Sequence, residues 1–336
     1  MVRSVARYAI RSWKRIAAYS IASLVAILII GLLAYSHIFG PVDAVSLTTE
    51  QFVVKPDTSV EQLTKELKEE GLIKSTWAFR ISLLEEAQGR SVKAGGYTLS
   101  KSMDVLSIAG VLARPPALAF VTFPPGIRKE QMGEILADAL NWSDAELKEW
   151  NTTATSPDPS FIEGVYYPDT YLIPSDQTPA QVAARMRGRF TDEFAPYAQE
   201  AQKKGMEWTD VLTLASIVDR EAAANDKALV AGILLNRLDS GMRLQADATL
   251  QYAKGTSRNW WPQPTSADKY VDSPFNTYQH AGLPPHPIDN PSLSSIEAVL
   301  NPTGTDCLFY LHDDNHQIHC SLTYSGQVKN VNTYLR

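Results

Sequence analysis

The chain begins with its longest apolar run and then alternates strand-like segments with amphipathic helical ones. Residues 17–35, AAYSIASLVAILIIGLLAY, carry no charge, and about twenty such residues in a helix cross the ~30 Å hydrocarbon core of a bilayer. The pattern predicts a transmembrane helix over 17–38 and a polar linker over 39–49. QFVVKP at 51–56 alternates as a strand does, and Val60, Leu63 and Leu67 recur at helical spacing behind a capping residue, Thr58 or Ser59. Trp77, Phe79, Ile81 and Leu84 suit a second short helix, and KAGGYTLS at 93–100 returns as a strand. Together these predict a small βααβ unit over 50–116, closed by a further helix that Pro115 and Pro116 end. Its opening recurs: FVVKPDTSVEQLTKEL at 52–67 is similar to FVTFPPGIRKEQMGEIL at 120–136, each a strand, a proline-marked turn and a helix.

Residues 117–336 read as a larger mixed α/β domain, so the fold class is α+β behind one N-terminal membrane helix. A helix followed by a Thr/Ser/Pro loop fits 141–161. FIEGVYYPDTYLIP at 161–174 is dense in aromatics; a surface on which a helix packs and a stacking platform for a sugar both explain it. Helices are predicted over 178–204, 206–224, 228–240 and 292–302. The second is apolar nearly all round through Val211, Leu212, Leu214, Ala215, Ile217 and Val218, the pattern of a buried helix. MRLQADATLQY at 242–252 alternates as a strand does, 273–292 is too rich in Pro and Gly for regular structure, and 307–320 reads as a hairpin.

Charge fixes the direction of the anchor. Arg3, Arg7, Arg11, Lys14 and Arg15 precede the apolar run without one acid, which keeps residues 1–16 in the cytoplasm. A cleaved signal peptide would carry an apolar region of only about 7–15 residues. Without those five cations, 26 Lys and Arg face 37 Asp and Glu, a net charge of −11 that argues against a nucleic-acid partner. Cys307 and Cys320 are too few for a disulfide framework. A two-residue turn at Asp313 and Asp314 would set them opposite each other, and a cross-strand disulfide and two buried thiols both remain open.

Candidate chemistry gathers in residues 208–255. Asp219 and Glu221 end the apolar helix, but residues two apart lie about 200° round, so only one of them faces a site. The alternative is a pair of solvated acids neutralised by Arg220 or Lys227. Gln245, Asp247, Thr249, Asn276, Thr277 and Tyr278 are short hydrogen-bonding groups on Gly- and Pro-fixed backbone, suited to orienting a hydroxyl-rich ligand or to turn and capping duty. His312, His316 and His319 near Asp313 and Asp314 lack ligand spacing, so no metal is expected. No Gly-rich loop opens a helix, and no cofactor is expected.

Several strings, taken in order, resemble the YceG-like (MltG-like) endolytic murein transglycosylases: EGVYYPDTY at 163–171, LASIVDREA at 214–222, LLNRLDSGMRLQADATLQY at 234–252, FNTYQHAGLPPHPIDNP at 275–291 and LNP at 300–302. KAGGYTLSKSM and VTFPPGIRKEQM are similar to that family's N-terminal half, so the resemblance covers roughly 50–336. It implies a LysM-like module at 50–116 and a YceG-type catalytic domain at 117–336 on the periplasmic side of the inner membrane. It implies peptidoglycan glycan strands as substrate, with peptidoglycan synthases as neighbours. The implied reaction cleaves the MurNAc–GlcNAc β-1,4 bond and leaves a 1,6-anhydro-MurNAc end. One carboxylic acid protonates the leaving oxygen and then, as base, takes the proton of the sugar's 6-hydroxyl.

The position matching the family's catalytic glutamate is Asp219, and Pro125 stands where the family often has an acid. Aspartate is shorter by one C–C bond, about 1.5 Å, and displacements near 1 Å can cost on the order of 100-fold in rate. Three expectations follow: Asp219 works in a repositioned site, Glu221 replaces it, or the chain is a catalytically weak or inactive glycan-binding relative. A hydrolase using water would instead need a second carboxylate near the first, such as Asp247.

Overall fold

Helix α1 (Val2–Phe39) is continuous from the basic segment through the apolar run. This computed structural model describes residues 2–156 and 162–335, and the chain forms two units, residues 1–120 and 121–336. Within α1, Tyr19–Phe39 has a mean hydropathy of 2.3 and is long and apolar enough to cross a membrane. Its far end is not free: Ile38 and Phe39 pack on the core of the first unit, and the Phe39 ring meets Trp77 with centroids 6.2 Å apart.

That first unit is built on β1 (Glu50–Val54) and β2 (Gly95–Leu99), paired antiparallel with Phe52 opposite Tyr97. Between them run α2 (Val60–Glu69) and α3 (Thr76–Ala87), whose N-caps Ser59 and Ser75 accept the amides of Gln62 and Ala78. Helix α4 (Val105–Leu112) follows, capped by Asp104. Leu63, Leu67, Phe79, Tyr97, Leu99, Ile108 and Leu112 close one core. The strand–helix–helix–strand order is the one that the apolar periodicity predicts.

Strand β3 (Leu118–Thr122) begins antiparallel to β2, and past the boundary the chain meets β4 (Thr170–Pro174), where the amide of Phe123 donates to the Asp169 carbonyl at 3.0 Å. A proline turn leads to α5 (Lys129–Leu140), so both copies of the repeated segment form strand, turn and helix. After α6 (Asp144–Glu149) and a π-helical turn at Trp150–Ala154, the stretch at 162–174 packs inward. Val165, Tyr166 and Ile173 are fully buried, and Tyr166 lies against Trp150 with centroids 5.5 Å apart. The packing reading therefore describes this aromatic segment; Phe161 and the rest of the predicted loop at 157–161 lie outside the described residues.

The second unit is centred on α8 (Trp208–Glu221), in which every residue from Val211 to Val218 is buried. Around it pack α7 (Pro179–Lys203), α9 (Lys227–Asp239), α10 (Asp247–Lys254) and α11 (Leu293–Leu300). An apolar surface on all sides requires such enclosure.

Two local expectations fail. The 242–252 segment is not a strand: Gln245 sits at φ 51°, and α10 starts two residues later. The Glu221 carboxylate accepts the Ala248 amide at 2.9 Å, satisfying one of the donors a new helix leaves open. In the hairpin of β5 (Phe309–His312) and β6 (Ile318–Ser321), Cys320 lies opposite Tyr310 rather than Cys307. The Asp313 carboxylate accepts the amides of Asn315 and Gln317, and His316 adopts φ 58°. This holds a wider turn than the two-residue one expected. Cys307, just before β5, still bonds Cys320. Helix α12 (Tyr324–Tyr334) then packs on the hairpin.

Candidate functional site

The last turn of α8 separates the two acids as helical geometry requires. Asp219 turns toward the N-termini of two other helices. Its Oδ1 accepts from Lys227 Nζ at 2.7 Å, from Ser292 Oγ at 2.7 Å and, by a short contact, from Ser295 Oγ. Lys227 is the first residue of α9, and Ser292 is the N-cap of α11. An ammonium, two hydroxyls and the N-terminus of α11 thus converge on one carboxylate oxygen. The Asp219 side chain is only 5% exposed, so the site is neither a solvated pair nor an open surface acid. Lys227, named from the sequence as a neutralising partner, is that partner; Arg220 is exposed and stacks over Trp261 at 3.9 Å.

The other oxygen, Oδ2, faces Gly126. A Cβ built there would lie 3.0 Å from Asp219 Oδ2 and 3.8 Å from Asp289 Oδ2. With φ +75°, Gly126 also occupies backbone that side-chain-bearing residues rarely adopt. Its amide donates to the Asn290 carbonyl at 2.9 Å, and Ile127 bridges Asn290. This pairing draws residues 287–292 against the turn after β3 and sets Asp289 beside Asp219.

Glu221 points elsewhere. Besides the Ala248 amide, its carboxylate accepts the Tyr310 hydroxyl at 3.0 Å, and burial pushes its pKa up. It ties α8 to α10 and β5.

Of the predicted ligand-orienting residues, Thr249, Asn276 and Thr277 are buried and bind one another's loops. Thr249 and Thr277 share a hydroxyl contact of 2.9 Å, and Asn276 Nδ2 donates to the carbonyls of Lys269 and Val271. Gln245 and Asp247 are exposed, and Tyr278 donates to Asp247 at 2.7 Å. All six belong to one polar cluster beside Glu221, whereas Asp219 stands with Lys227, Ser292 and Ser295. The histidines pair singly, His312 with Asp226 and His319 with Asp313.

Two buried carboxyl groups were not singled out from the sequence. Glu163 is 1% exposed and accepts the Lys129 amide at 3.0 Å and Asn290 Nδ2 at 2.6 Å. Burial, reinforced by the charge of Glu130, pushes it up to about 8. The adjacent Gly164 is required: at φ +85°, a Cβ would lie 2.6 Å from the Pro287 ring. Asp289 is fully buried, and neither of its oxygens has a hydrogen-bond partner among the described residues. Its pKa is raised well above the ordinary value, first by burial and then by the charge of Asp219. The only signal in the sequence is a carboxylate in a Pro-rich run that otherwise lacks charge.

The model of the YceG-like family matches residues 52–333. A Bacillus subtilis (strain 168) protein named endolytic murein transglycosylase is 29% identical over 321 residues, covering 88% of this chain and 87% of its own length. One of the same name from Streptococcus pneumoniae serotype 2 is 27% identical over 308 residues, 81% of this chain; the chain spans only 56% of that relative's length. A crystal structure of a yceG-like protein from Listeria monocytogenes superposes with a TM-score of 0.63 at 26% identity, covering 84% of this chain and 99% of the other.

Proposed function

Because the chain belongs to the YceG-like family, we propose that it is an endolytic murein transglycosylase with Asp219 as its acid/base. The observation that carries this reading is one carboxylate just past the buried stretch of α8, gripped on Oδ1 by Lys227, Ser292 and Ser295 and bare of side chain at Gly126 on its Oδ2 side. Nascent glycan strands are the substrate, and the MurNAc–GlcNAc β-1,4 bond is cut. A proton goes to the leaving oxygen of GlcNAc, the MurNAc 6-hydroxyl closes on C1, and its proton returns to the carboxylate. No water is consumed. The βααβ unit is then a LysM-like glycan-binding module beside the membrane, α1 is a single-pass inner-membrane anchor with its basic end in the cytoplasm, and the protein works next to the peptidoglycan synthases.

The aspartate supports a second reading, a glycan-binding scaffold without turnover, since Asp219 replaces the glutamate that the resemblance implies. Incubating the full chain in detergent with peptidoglycan and searching the products by mass spectrometry separates the two. Anhydro-ended muropeptides that vanish with Asp219→Asn support the enzyme. Their absence from wild type and appearance with Asp219→Glu would establish the scaffold instead, and reducing ends would overturn both in favour of a hydrolase.

A further inference from the structure

Asp219 and Asp289 face the same small space at Gly126 with opposite surroundings. On Asp219, one oxygen collects an ammonium, two hydroxyls and a helix N-terminus. On Asp289, both oxygens are buried without a partner among the described residues. An ionised carboxylate in the second setting would be buried with no donor among the described residues, a state that proteins avoid by keeping the group protonated. A neutral carboxyl group carries an O–H that needs an acceptor, and a Cβ built at Gly126 would lie 3.0 Å from Asp219 Oδ2 and 3.8 Å from Asp289 Oδ2, so the two oxygens face one space.

We propose that Asp289 is the proton-holding partner of Asp219: at rest the pair shares one proton, which Asp289 carries while Asp219 carries the charge. Two carboxyl groups whose environments are pushed apart in this way divide into an acid and a base. The inference rests on the transglycosylase reading for its chemistry. When a glycan occupies the site, the Asp289 proton passes to Asp219 Oδ2 and from there to the glycosidic oxygen as the C1–O bond breaks. The 6-hydroxyl forms the new bond to C1, and its proton returns to Asp219 and then to Asp289, so the pair ends as it began. Asp289 touches no substrate and acts through Asp219, so it is a positioning residue.

The titratable groups facing Asp289 are Asp219 and Arg220 from α8, Lys227 from α9 and Glu163 from the segment before β4. Burial is the largest cause of its raised pKa, Asp219 and Glu163 act in the same direction, and the two cations oppose it.

The test uses the full chain in detergent micelles. Infrared difference spectra between wild type and Asp289→Asn across pH are expected to show a protonated-carboxyl band at neutral pH that the variant lacks. In Asp219→Asn that band is expected to vanish at lower pH than in wild type, because the neighbouring negative charge is gone. Kinetically, Asp289→Asn is expected to lower kcat at least tenfold with KM within twofold, and to remove the alkaline fall in rate, while Asp289→Glu keeps that fall. No protonated band, or a band that does not respond to Asp219→Asn, overturns the shared proton. A rate loss in Asp289→Asn that is equal at every pH overturns the proton role in favour of mere packing. If wild type forms no anhydro product, the transglycosylase reading fails, and the infrared arm still decides whether the pair shares a proton.

Discussion

Replacing Glu163 by Gln is expected to flatten the pH dependence of folding stability. The carboxyl group is 1% exposed and lies under the first turn of α5, where it accepts the Lys129 amide and Asn290 Nδ2. These donors, with Lys129 and Arg128 nearby, favour the ionised form, but burial and Glu130 outweigh them, raising the pKa from 4.5 to about 8. Between those two values the folded protein holds a proton that the unfolded chain has released. Stability is therefore fully present below pH 4.5 and declines as pH rises to about 8. Each pH unit inside that window is worth about 1.4 kcal/mol, for a ceiling of about 5 kcal/mol across it. Glutamine keeps the shape, and its one oxygen in the Oε1 position still accepts both the Lys129 amide and Asn290 Nδ2, but its NH2 stands where Oε2 accepted the Lys129 amide at 3.2 Å, which adds an offset of roughly 1–3 kcal/mol at every pH. The slope, not the offset, is diagnostic. Urea unfolding of the full chain at a series of pH values across the window measures both. Trp150 is a suitable reporter, being fully buried with its Nε1 donating to the Lys129 carbonyl at 2.7 Å. A difference between wild type and Glu163→Gln that stays constant from pH 4.5 to 8 would refute the argument.

Three further outcomes are expected. Gly126→Ala forces a Cβ to within 3.0 Å of Asp219 Oδ2 in left-handed backbone, so it is expected to lower stability by about 1–2 kcal/mol in urea titration and to reduce muropeptide release more than that loss explains. Glu221→Ala leaves the Ala248 amide and the Tyr310 hydroxyl unpaired and is expected to cost about 2–3 kcal/mol, with Glu221→Gln milder; activity abolished at unchanged stability would instead make Glu221 the acid. Replacing both Cys307 and Cys320 by Ser opens the loop that their bond closes and is expected to cost about 3 kcal/mol, seen as a lower thermal midpoint that reductant does not lower further.

Much of the fold is legible because apolar periodicity reports burial directly. The enclosed α8, the cap Ser59 and the repeated strand–turn–helix all follow from spacing. The failures arise where a distant partner overrides the local pattern. MRLQADATLQY alternates like a strand, yet Glu221 from another helix fixes the Ala248 amide and starts α10 there. The hairpin register depends on an aspartate binding amides across the turn, which residue counting misses. The site divides in the same way. Helical spacing separates Asp219 from Glu221, but Ser292, Ser295, Asp289 and Glu163 reach it through long-range pairing at Asn290 that no local motif encodes.

The aspartate at 219 is better understood with its surroundings than alone. Oδ1 is fixed by Lys227, Ser292 and Ser295, and Oδ2 lies 3.0 Å from where a Cβ at Gly126 would stand. A side chain longer by about 1.5 Å could keep the first contacts only by folding back, or would project into the space shared with Asp289. There a second charge would meet a buried carboxyl group that has no donor among the described residues. A short acid at 219 and a buried acid at 289 are thus sterically and electrostatically compatible, whereas a long one at 219 competes with Asp289 for the same place. On this argument the replacement that makes the chain look defective by comparison is one half of an arrangement whose other half is Asp289.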